Sequence, residues 1–89
     1  MSIELQKLLI DFQETCCKAH EHALKSFINK DISMAENVRN LRTKIDATYS
    51  NIEQAAKDSS VDLMPHLLAV ASFLRQIYES SVDLADLVV

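Results

Sequence analysis

Three acidic residues near the end of the chain have the spacing of a metal-binding helix face. Glu79, Asp83 and Asp86 follow one another at intervals of four and three residues, which on a helix places their side chains within roughly 60° of each other. Aligned carboxylates supply the oxygen ligands that hard or borderline cations prefer. The spacing therefore predicts a candidate metal site, although the same pattern is typical of a solvated helix face. Arg75 lies one turn earlier and is expected to pair with Glu79 and weaken such a site.

The other reactive side chains do not form a catalytic motif. His20 and His22 are two residues apart, so on a helix they point in nearly opposite directions and are poorly placed to share a zinc ion. Cys16 and Cys17 are adjacent, so we expect one core thiol and one exposed thiol, both reduced. The chain has no glycine from which to build a nucleophile elbow or a phosphate-binding loop. We therefore expect a protein that is not an enzyme.

The charge distribution argues against a nucleic-acid surface. Nine Lys and Arg residues stand against 13 Asp and Glu residues, which gives a net charge of −4, whereas nucleic-acid binding needs clustered Lys or Arg. No apolar run approaches the roughly 18 to 20 residues that cross a bilayer, and the N-terminus lacks the basic region of a signal peptide. We expect a cytoplasmic protein that binds no nucleic acid and does not insert into a membrane.

The elements that position these residues are predicted to be three long helices. Apolar residues recur at intervals of three and four from Ser2 to Asn29, in a second stretch that begins after Asp31, and from Met64 to Val89, which is the period of an amphipathic helix. The breaks are Asn29 to Asp31 and Lys57 to Ser60. Asp31 or Ser33 is expected to cap the second helix, and Ser59 or Ser60 the third.

The apolar stripes predict which side chains form the core. They are Leu5, Leu8, Leu9, Phe12, Cys16, Ala19, Ala23 and Phe27 in the first helix, Ala35, Val38, Leu41, Ile45, Tyr49, Ile52 and Ala56 in the second, and Leu67, Val70, Ala71, Leu74, Ile77, Tyr78, Ser81, Ala85 and Val88 in the third. Long helices joined by short turns pack as antiparallel neighbours. The fold class is therefore all-α, a three-helix up-down-up bundle that forms one domain over residues 1–89.

Two stretches resemble the PhoU family, the helical regulators associated with phosphate uptake. The first is KDISMAENVRNLRTKIDATYSNIE, and the second is ASFLRQIYESSVDLADLVV. The matching residues are Asp31, Ala35, Val38, Ile45 and Asp46 in the first, and Ile77, Glu79, Val82, Leu84, Ala85 and Leu87 to Val89 in the second. The whole chain fits one three-helix unit of that family, and this register expects Ala35, Val38 and Ala85 to be buried.

The resemblance also carries expectations about metal and assembly. Family members similar to this chain usually have two three-helix repeats and bind a metal cluster through an acid followed four residues later by Asp on the third helix. Here those positions are Arg75 and Glu79, and an acid often found in the second helix falls at Arg42, so the family's cluster is expected to be weakened or lost. Two copies of a single unit would recreate the six-helix body, with the third helix providing much of the contact.

Three functions follow from these observations. The first is a non-enzymatic PhoU-like regulator or adaptor that self-associates, as a homodimer or higher oligomer, and contacts a transporter or sensor protein in phosphate or ion uptake. The second is a structural helical-bundle assembly module without a metal. The third is a metal-binding helical protein that uses Glu79, Asp83 and Asp86; the first two need no cofactor.

Overall fold

The structure, a computed structural model, describes residues 3–59 and 61–88, and all of its regular elements are α-helices, as predicted. They are α1 (Ile3–Asn29), α2 (Ile32–Asn40), α3 (Arg42–Lys57) and α4 (Met64–Ala85). The body is elongated, with principal extents of 46 × 17 × 16 Å. Ser2 and Val89, the predicted ends of the first and third helices, lie outside the described residues. Within those residues, no helix is both long and apolar enough to cross a membrane.

The second predicted helix has a one-residue interruption at Leu41, which divides it into α2 and α3. α2 ends at Asn40, and the Leu41 N–H donates to the Val38 carbonyl, three residues earlier, at 3.3 Å. A bond to the third residue back is the tighter pattern of a 3₁₀ turn. The regular pattern then resumes, because the Ile45 N–H donates to the Leu41 carbonyl at 2.9 Å.

The turn between α1 and α2 lies where it was predicted and is closed at both helix ends. Lys30 has a φ of 54°, a left-handed conformation that usually falls to glycine. The Asp31 N–H donates to the Ser26 carbonyl at 2.9 Å, which is the longer bond of a Schellman ending. The Asp31 carboxylate accepts from the Met34 N–H at 3.1 Å, so Asp31, and not Ser33, caps α2.

α4 begins without the serine cap that was predicted. Leu63 occupies the N-cap position and makes no side-chain cap bond, and Ser60 lies outside the described residues. The Ser59 hydroxyl is turned back to the Ala55 carbonyl at 3.3 Å. Pro65 lies in the first turn of α4, where its missing N–H costs nothing because the first helical N–H groups have no partner within the helix.

α4 also ends one turn earlier than predicted. The helix stops at Ala85, and the N–H groups of Leu87 and Val88 donate to the carbonyls of Leu84 and Ala85, each at 3.1 Å. These bonds reach back three residues, so the chain tightens as it leaves the helix. The tightened turn carries the Val88 side chain into the core.

The core is formed by the predicted apolar stripes with two local differences. The buried apolar side chains are Leu5, Phe12, Cys16, Ala19, Ala23, Ala35, Val38, Ile45, Ile52, Ala56, Leu67, Ala71, Leu74, Tyr78, Val82, Ala85 and Val88. Phe27 and Val70, predicted to be inside, are exposed; Ser26, in the same turn as Phe27, is buried instead, and so is Val82, about three turns after Val70. The Ser26 hydroxyl donates to the Ala23 carbonyl at 2.8 Å, which is how a polar group is accommodated there.

Residue pairs across the helices give their directions. Phe12 of α1 contacts the ring of Tyr49, with centroids 6.4 Å apart, while Leu5 clusters with Ala56, so α1 and α3 run in opposite directions. Leu5 also clusters with Leu67 of α4, so α1 and α4 begin at the same end. The buried positions of Ala35, Val38 and Ala85 are those expected from the family register.

Candidate functional site

Arg42 of α3 and Glu79 of α4 form the best-defined polar contact between two helices. The Nη1 and Nη2 atoms of Arg42 donate to Oε1 and Oε2 of Glu79 at 2.7 and 3.0 Å, which is the two-bond geometry that guanidinium and carboxylate favour. These hydrogen bonds hold the pKa of Glu79 below its usual value and raise that of Arg42. The guanidinium also lies 5.6 Å from the centre of the Tyr78 ring. Both carboxylate oxygens of Glu79 are therefore bound by a positively charged side chain of the protein itself.

The hydrogen bonds from Arg42 lower the pKa of Glu79 most and the charge of Arg75 adds to this effect, but the ion pair that Arg75 forms lies across the helices. The Nη2 atom of Arg75 lies 3.4 Å from Oδ1 of Asp46 in α3. The guanidinium lies over the ring of Tyr49, 4.7 Å from its centre, which is close enough for a cation–π contact. Because Arg42 already binds both oxygens of Glu79, the aromatic ring and Asp46 provide the better site for Arg75.

Arg39 closes the end of α4. Its Nη1 atom donates to the Ala85 carbonyl at 3.2 Å and lies 3.5 Å from Oδ1 of Asp86. A cation at a helix C-terminus interacts favourably with the helix dipole and with carbonyls that have no partner within the helix. Asp86, an acid at the unfavourable end of the helix, is thereby compensated by a residue of α2. Asp83 is exposed.

These three contacts form one row along the α2, α3 and α4 seam, which we call the ion-pair ladder. Its pairs are Arg39 with Asp86, Arg42 with Glu79 and Asp46 with Arg75. Arg42 and Asp46 are four residues apart on α3, and Arg75 and Glu79 are four residues apart on α4, so a signal for pairing between two antiparallel helices was present in the sequence.

The ladder does not fit the metal cluster that the family resemblance implies. The positions that would supply acids hold Arg42 and Arg75, and the acid that remains, Glu79, has both oxygens bound to a guanidinium. Among residues 3–59 and 61–88, no three Asp, Glu, His or Cys side chains form a group that could hold a metal ion. The site predicted on Glu79, Asp83 and Asp86 stays a prediction, and the geometry assigns two of its three members to arginines.

The hydroxyl groups near histidine or in the groove beside α1 are not arranged as nucleophiles. His20 Nδ1 lies 3.3 Å from the Ser81 hydroxyl, but Ser81 is buried and donates its proton to the Ile77 carbonyl at 2.8 Å. The hydroxyls of Thr15 and Thr48 likewise donate to carbonyls one turn back, at 2.9 and 2.8 Å. A hydroxyl nucleophile needs its proton directed to a base, and these three point theirs at the backbone.

An open groove of about 600 Å³ lies between α1 and the α2/α3 break. Its rim carries Asp11, Glu14 and Lys18 from α1 and Lys44 from α3, and Leu41 forms part of its floor. The two acids and two lysines balance, and none of them is in an ion pair seen in the described residues. The rim of the groove is therefore electrically mixed, without the convergent groups that fix a ligand.

A broad surface without ionised groups lies on the outer side of the α1 and α4 pair. The two helices lie side by side, as the contacts of Leu5 with the Leu67 cluster and of His20 with Ser81 establish. At about 100° per residue, one flank of each helix faces outward beside this contact. The flanks consist of Gln6, Ile10, Gln13, Cys17, Leu24 and Phe27 on α1, and Val70, Phe73, Ile77, Ser80 and Leu84 on α4. We call this surface the uncharged face.

The uncharged face is also the main site of exposed hydrophobic side chains on these two helices. Ile10, Leu24, Phe27, Val70 and Phe73 are all exposed, and Phe73 retains 62% of its surface. The Asp, Glu, Lys and Arg residues lie elsewhere: those of α4 are on the ladder flank, and those of α1 point toward the groove or away from α4. The exposed His66 lies on the outer flank of α4, near its first turn. A contiguous apolar patch with a charged surround is typical of a protein interaction site.

Comparison with known proteins gives one match. A protein-family model described as "PhoU domain" matches residues 9–88, which is nearly the whole chain. No curated protein and no solved structure gives a significant match. The matched range includes the ion-pair ladder and nearly all of the uncharged face.

Proposed function

Because the chain belongs to the PhoU domain family, a regulatory family of phosphate uptake, we propose that it is a non-enzymatic regulator or adaptor that acts by protein contact. Its place of action is the cytoplasm, and its targets are a transporter or sensor protein in phosphate or ion uptake. The observation that carries the proposal is the uncharged face. The hydroxyl groups of Thr15, Thr48 and Ser81 support a role in binding, since each donates to a backbone carbonyl and not to a base.

The size of the uncharged face suits a specific interface. It runs along the long axis of a body that measures 46 Å by 17 Å in its two larger extents. At 1.5 Å per residue the face extends about 32 Å along α1, from Gln6 to Phe27, and about 21 Å along α4, from Val70 to Leu84, which is a length on the scale of a standard protein interface. Its centre contains Phe73 and Ile77, an aromatic and an aliphatic side chain of the kind that anchors such contacts.

The first partner that we propose for this face is a second copy of the chain. Each copy carries a net charge of −4, so copies that approach through acidic surfaces repel each other. The uncharged face is where two copies can meet without opposing ionised groups. A two-fold pairing brings the same residues together from both sides and places α1 and α4 of each copy against those of the other. The transporter or sensor is then contacted by the assembled dimer.

Sedimentation equilibrium tests this contact. We expect a dimer at micromolar concentration and a monomer for Phe73→Glu, because the substitution places two like charges in a closed apolar interface. The matched control is Ile32→Glu, which adds the same charge at a side chain of similar exposure, 52%, on α2, outside the uncharged face. It is expected to remain a dimer. A monomeric wild type, or a Phe73→Glu variant that dimerises as well as the control, would contradict the proposal.

A further inference from the structure

Two arginines and two acids alternate at the α3/α4 seam. Arg42 and Asp46 are one turn apart on α3, and Arg75 and Glu79 are one turn apart on α4. The helices run in opposite directions here, so Arg42 lies opposite Glu79 and Asp46 lies opposite Arg75. Each charge therefore has an opposite charge across the seam and another one turn away on its own helix.

The same four positions are where a cation would bridge the two helices. A divalent ion at this seam needs anionic oxygens from α3 and α4, and the acids that offer them are Asp46 and Glu79. Glu79 has both oxygens in hydrogen bonds of 2.7 and 3.0 Å to Arg42. Asp46 has Arg75 at 3.4 Å, held in place by the ring of Tyr49. A cation that entered would displace both guanidiniums and meet their positive charges.

We propose that Arg42 and Arg75 act as built-in counterions that replace a bridging cation, so that the seam holds together and takes up no divalent metal in the wild type. The inference is independent of the proposed function, because it concerns the flank opposite the uncharged face. A counterion role for Arg42 and Arg75 contradicts the hypothesis that Glu79 binds a metal ion. It also implies that the seam becomes a carboxylate site once their charges are reversed.

The test is Mn²⁺ binding and thermal unfolding of the double variant Arg42→Glu with Arg75→Glu. Mn²⁺ is the probe because carboxylate oxygens suit it. The variant places four acids at i and i+4 on two facing helices, so we expect it to melt at a lower temperature than wild type in EDTA and to recover when Mn²⁺ is added. Wild-type protein is expected to melt at the same temperature with EDTA and with Mn²⁺.

Two controls separate a built site from general attraction. The variant Lys44→Glu with Lys57→Glu changes the net charge equally at exposed positions away from the seam, and we expect its Mn²⁺ affinity to be about tenfold weaker than that of the arginine variant or lower. The swapped variant Arg42→Glu with Glu79→Arg keeps two opposite-charge pairs across the seam, one of them reversed and the other the unchanged pair of Asp46 and Arg75. We expect its melting temperature to be the same with Mn²⁺ and with EDTA, as for wild type.

Two outcomes overturn the inference. One is a wild-type protein that binds one Mn²⁺ per chain and loses it with Glu79→Gln. The other is a folded arginine variant that binds Mn²⁺ no better than the lysine control. If the Arg→Glu pair does not fold even with Mn²⁺, the milder pair Arg42→Gln with Arg75→Gln decides the question: Mn²⁺ must raise its melting temperature, and an unchanged temperature refutes the inference.

Discussion

The phenol oxygen of Tyr78 lies 2.7 Å from the carbonyl oxygen of Val38, which joins the middle of α4 to the end of α2. The same hydroxyl lies 3.3 Å from the Arg39 carbonyl. Both carbonyls are in the last turn of α2, just before the interruption at Leu41. Tyr78 is fully buried, so its hydroxyl needs such a partner. The contact thus connects the last turn of α2, just before the interruption at Leu41, to a residue in the centre of the core.

Removing this hydroxyl is expected to destabilise the fold. Tyr78→Phe keeps the ring and leaves the Val38 carbonyl without its side-chain donor in the core, so the free energy of unfolding should fall by about 1 to 2 kcal/mol. Urea unfolding followed by circular dichroism measures it. Tyr49→Phe is the control: that ring contacts Phe12 and Arg75, and we expect its loss of hydroxyl to cost at most about 0.5 kcal/mol. Equal losses in the two variants would show that the Val38 bond has no special weight.

Replacing Lys30 by glycine is expected to stabilise the fold. The φ of 54° at Lys30 costs a residue with a Cβ roughly 1 to 2 kcal/mol, and glycine is free of this cost but gains entropy in the unfolded chain. Lys30→Gly should therefore raise the free energy of unfolding by roughly 0.5 to 1 kcal/mol. Lys30→Ala keeps the Cβ and should change it by less than about 0.5 kcal/mol. A destabilised glycine variant would argue against the left-handed turn.

The pair between Glu79 and Arg42 should make stability depend on acid pH. The hydrogen bonds from Arg42 hold the folded-state pKa of Glu79 below its unfolded value, so the contribution is complete above the unfolded pKa and is lost as pH falls through the folded one. Glu79 is partly exposed, so Glu79→Gln should cost about 0.5 to 1 kcal/mol at neutral pH and nothing once wild-type Glu79 is protonated. Unfolding in urea from pH 7 to 3 measures the difference. A gap that widens toward low pH, or a similar loss in the exposed variant Glu36→Gln, would contradict this.

The adjacent cysteines should react very differently. Cys17 is exposed on the uncharged face, whereas Cys16 is buried, and burial raises the pKa of its thiol to about 11. Because the thiolate is the reactive form, iodoacetamide at pH 8 should modify Cys17 first and Cys16 only in denaturant, as mass spectrometry would record. If two copies meet through the uncharged face, the rate at Cys17 should also fall as protein concentration rises. Equal rates at the two thiols in the native protein would contradict the core assignment of Cys16.

The apolar periodicity predicted most of the fold. The all-α class, the turn at Lys30 and the core positions of Ala35, Val38 and Ala85 follow from steps of three and four, because burial on a helix depends mainly on angle. The break at Leu41 was not predictable in this way. The two carbonyls just before it, those of Val38 and Arg39, accept from the hydroxyl of Tyr78, about 40 residues later, and Tyr78 had the same apolar spacing as its neighbours.

The charged residues of the candidate site could be predicted from the sequence, but their ion-pair partners could not. The acids at Glu79 and Asp86 and the arginines were recognised, but they were treated helix by helix, so the partner of Glu79 was placed in its own helix at Arg75. The distances show partners across the seam, because Arg42 reaches Glu79 with two bonds. The uncharged face was missed for a related reason: Val70 and Phe27 were counted as core, and only the packed helices distinguish an inner flank from an outer one.

The measurement that tests the central claim most directly is phosphate uptake in cells that encode this chain. Cells lacking it are to be supplied with wild type, with Phe73→Glu or with the control Ile32→Glu, each confirmed to be folded and equally abundant. We predict that deletion alters the rate of labelled orthophosphate uptake, and that wild type and the control restore it while Phe73→Glu does not. Unchanged uptake on deletion, or full restoration by Phe73→Glu, would contradict regulation by protein contact through the uncharged face.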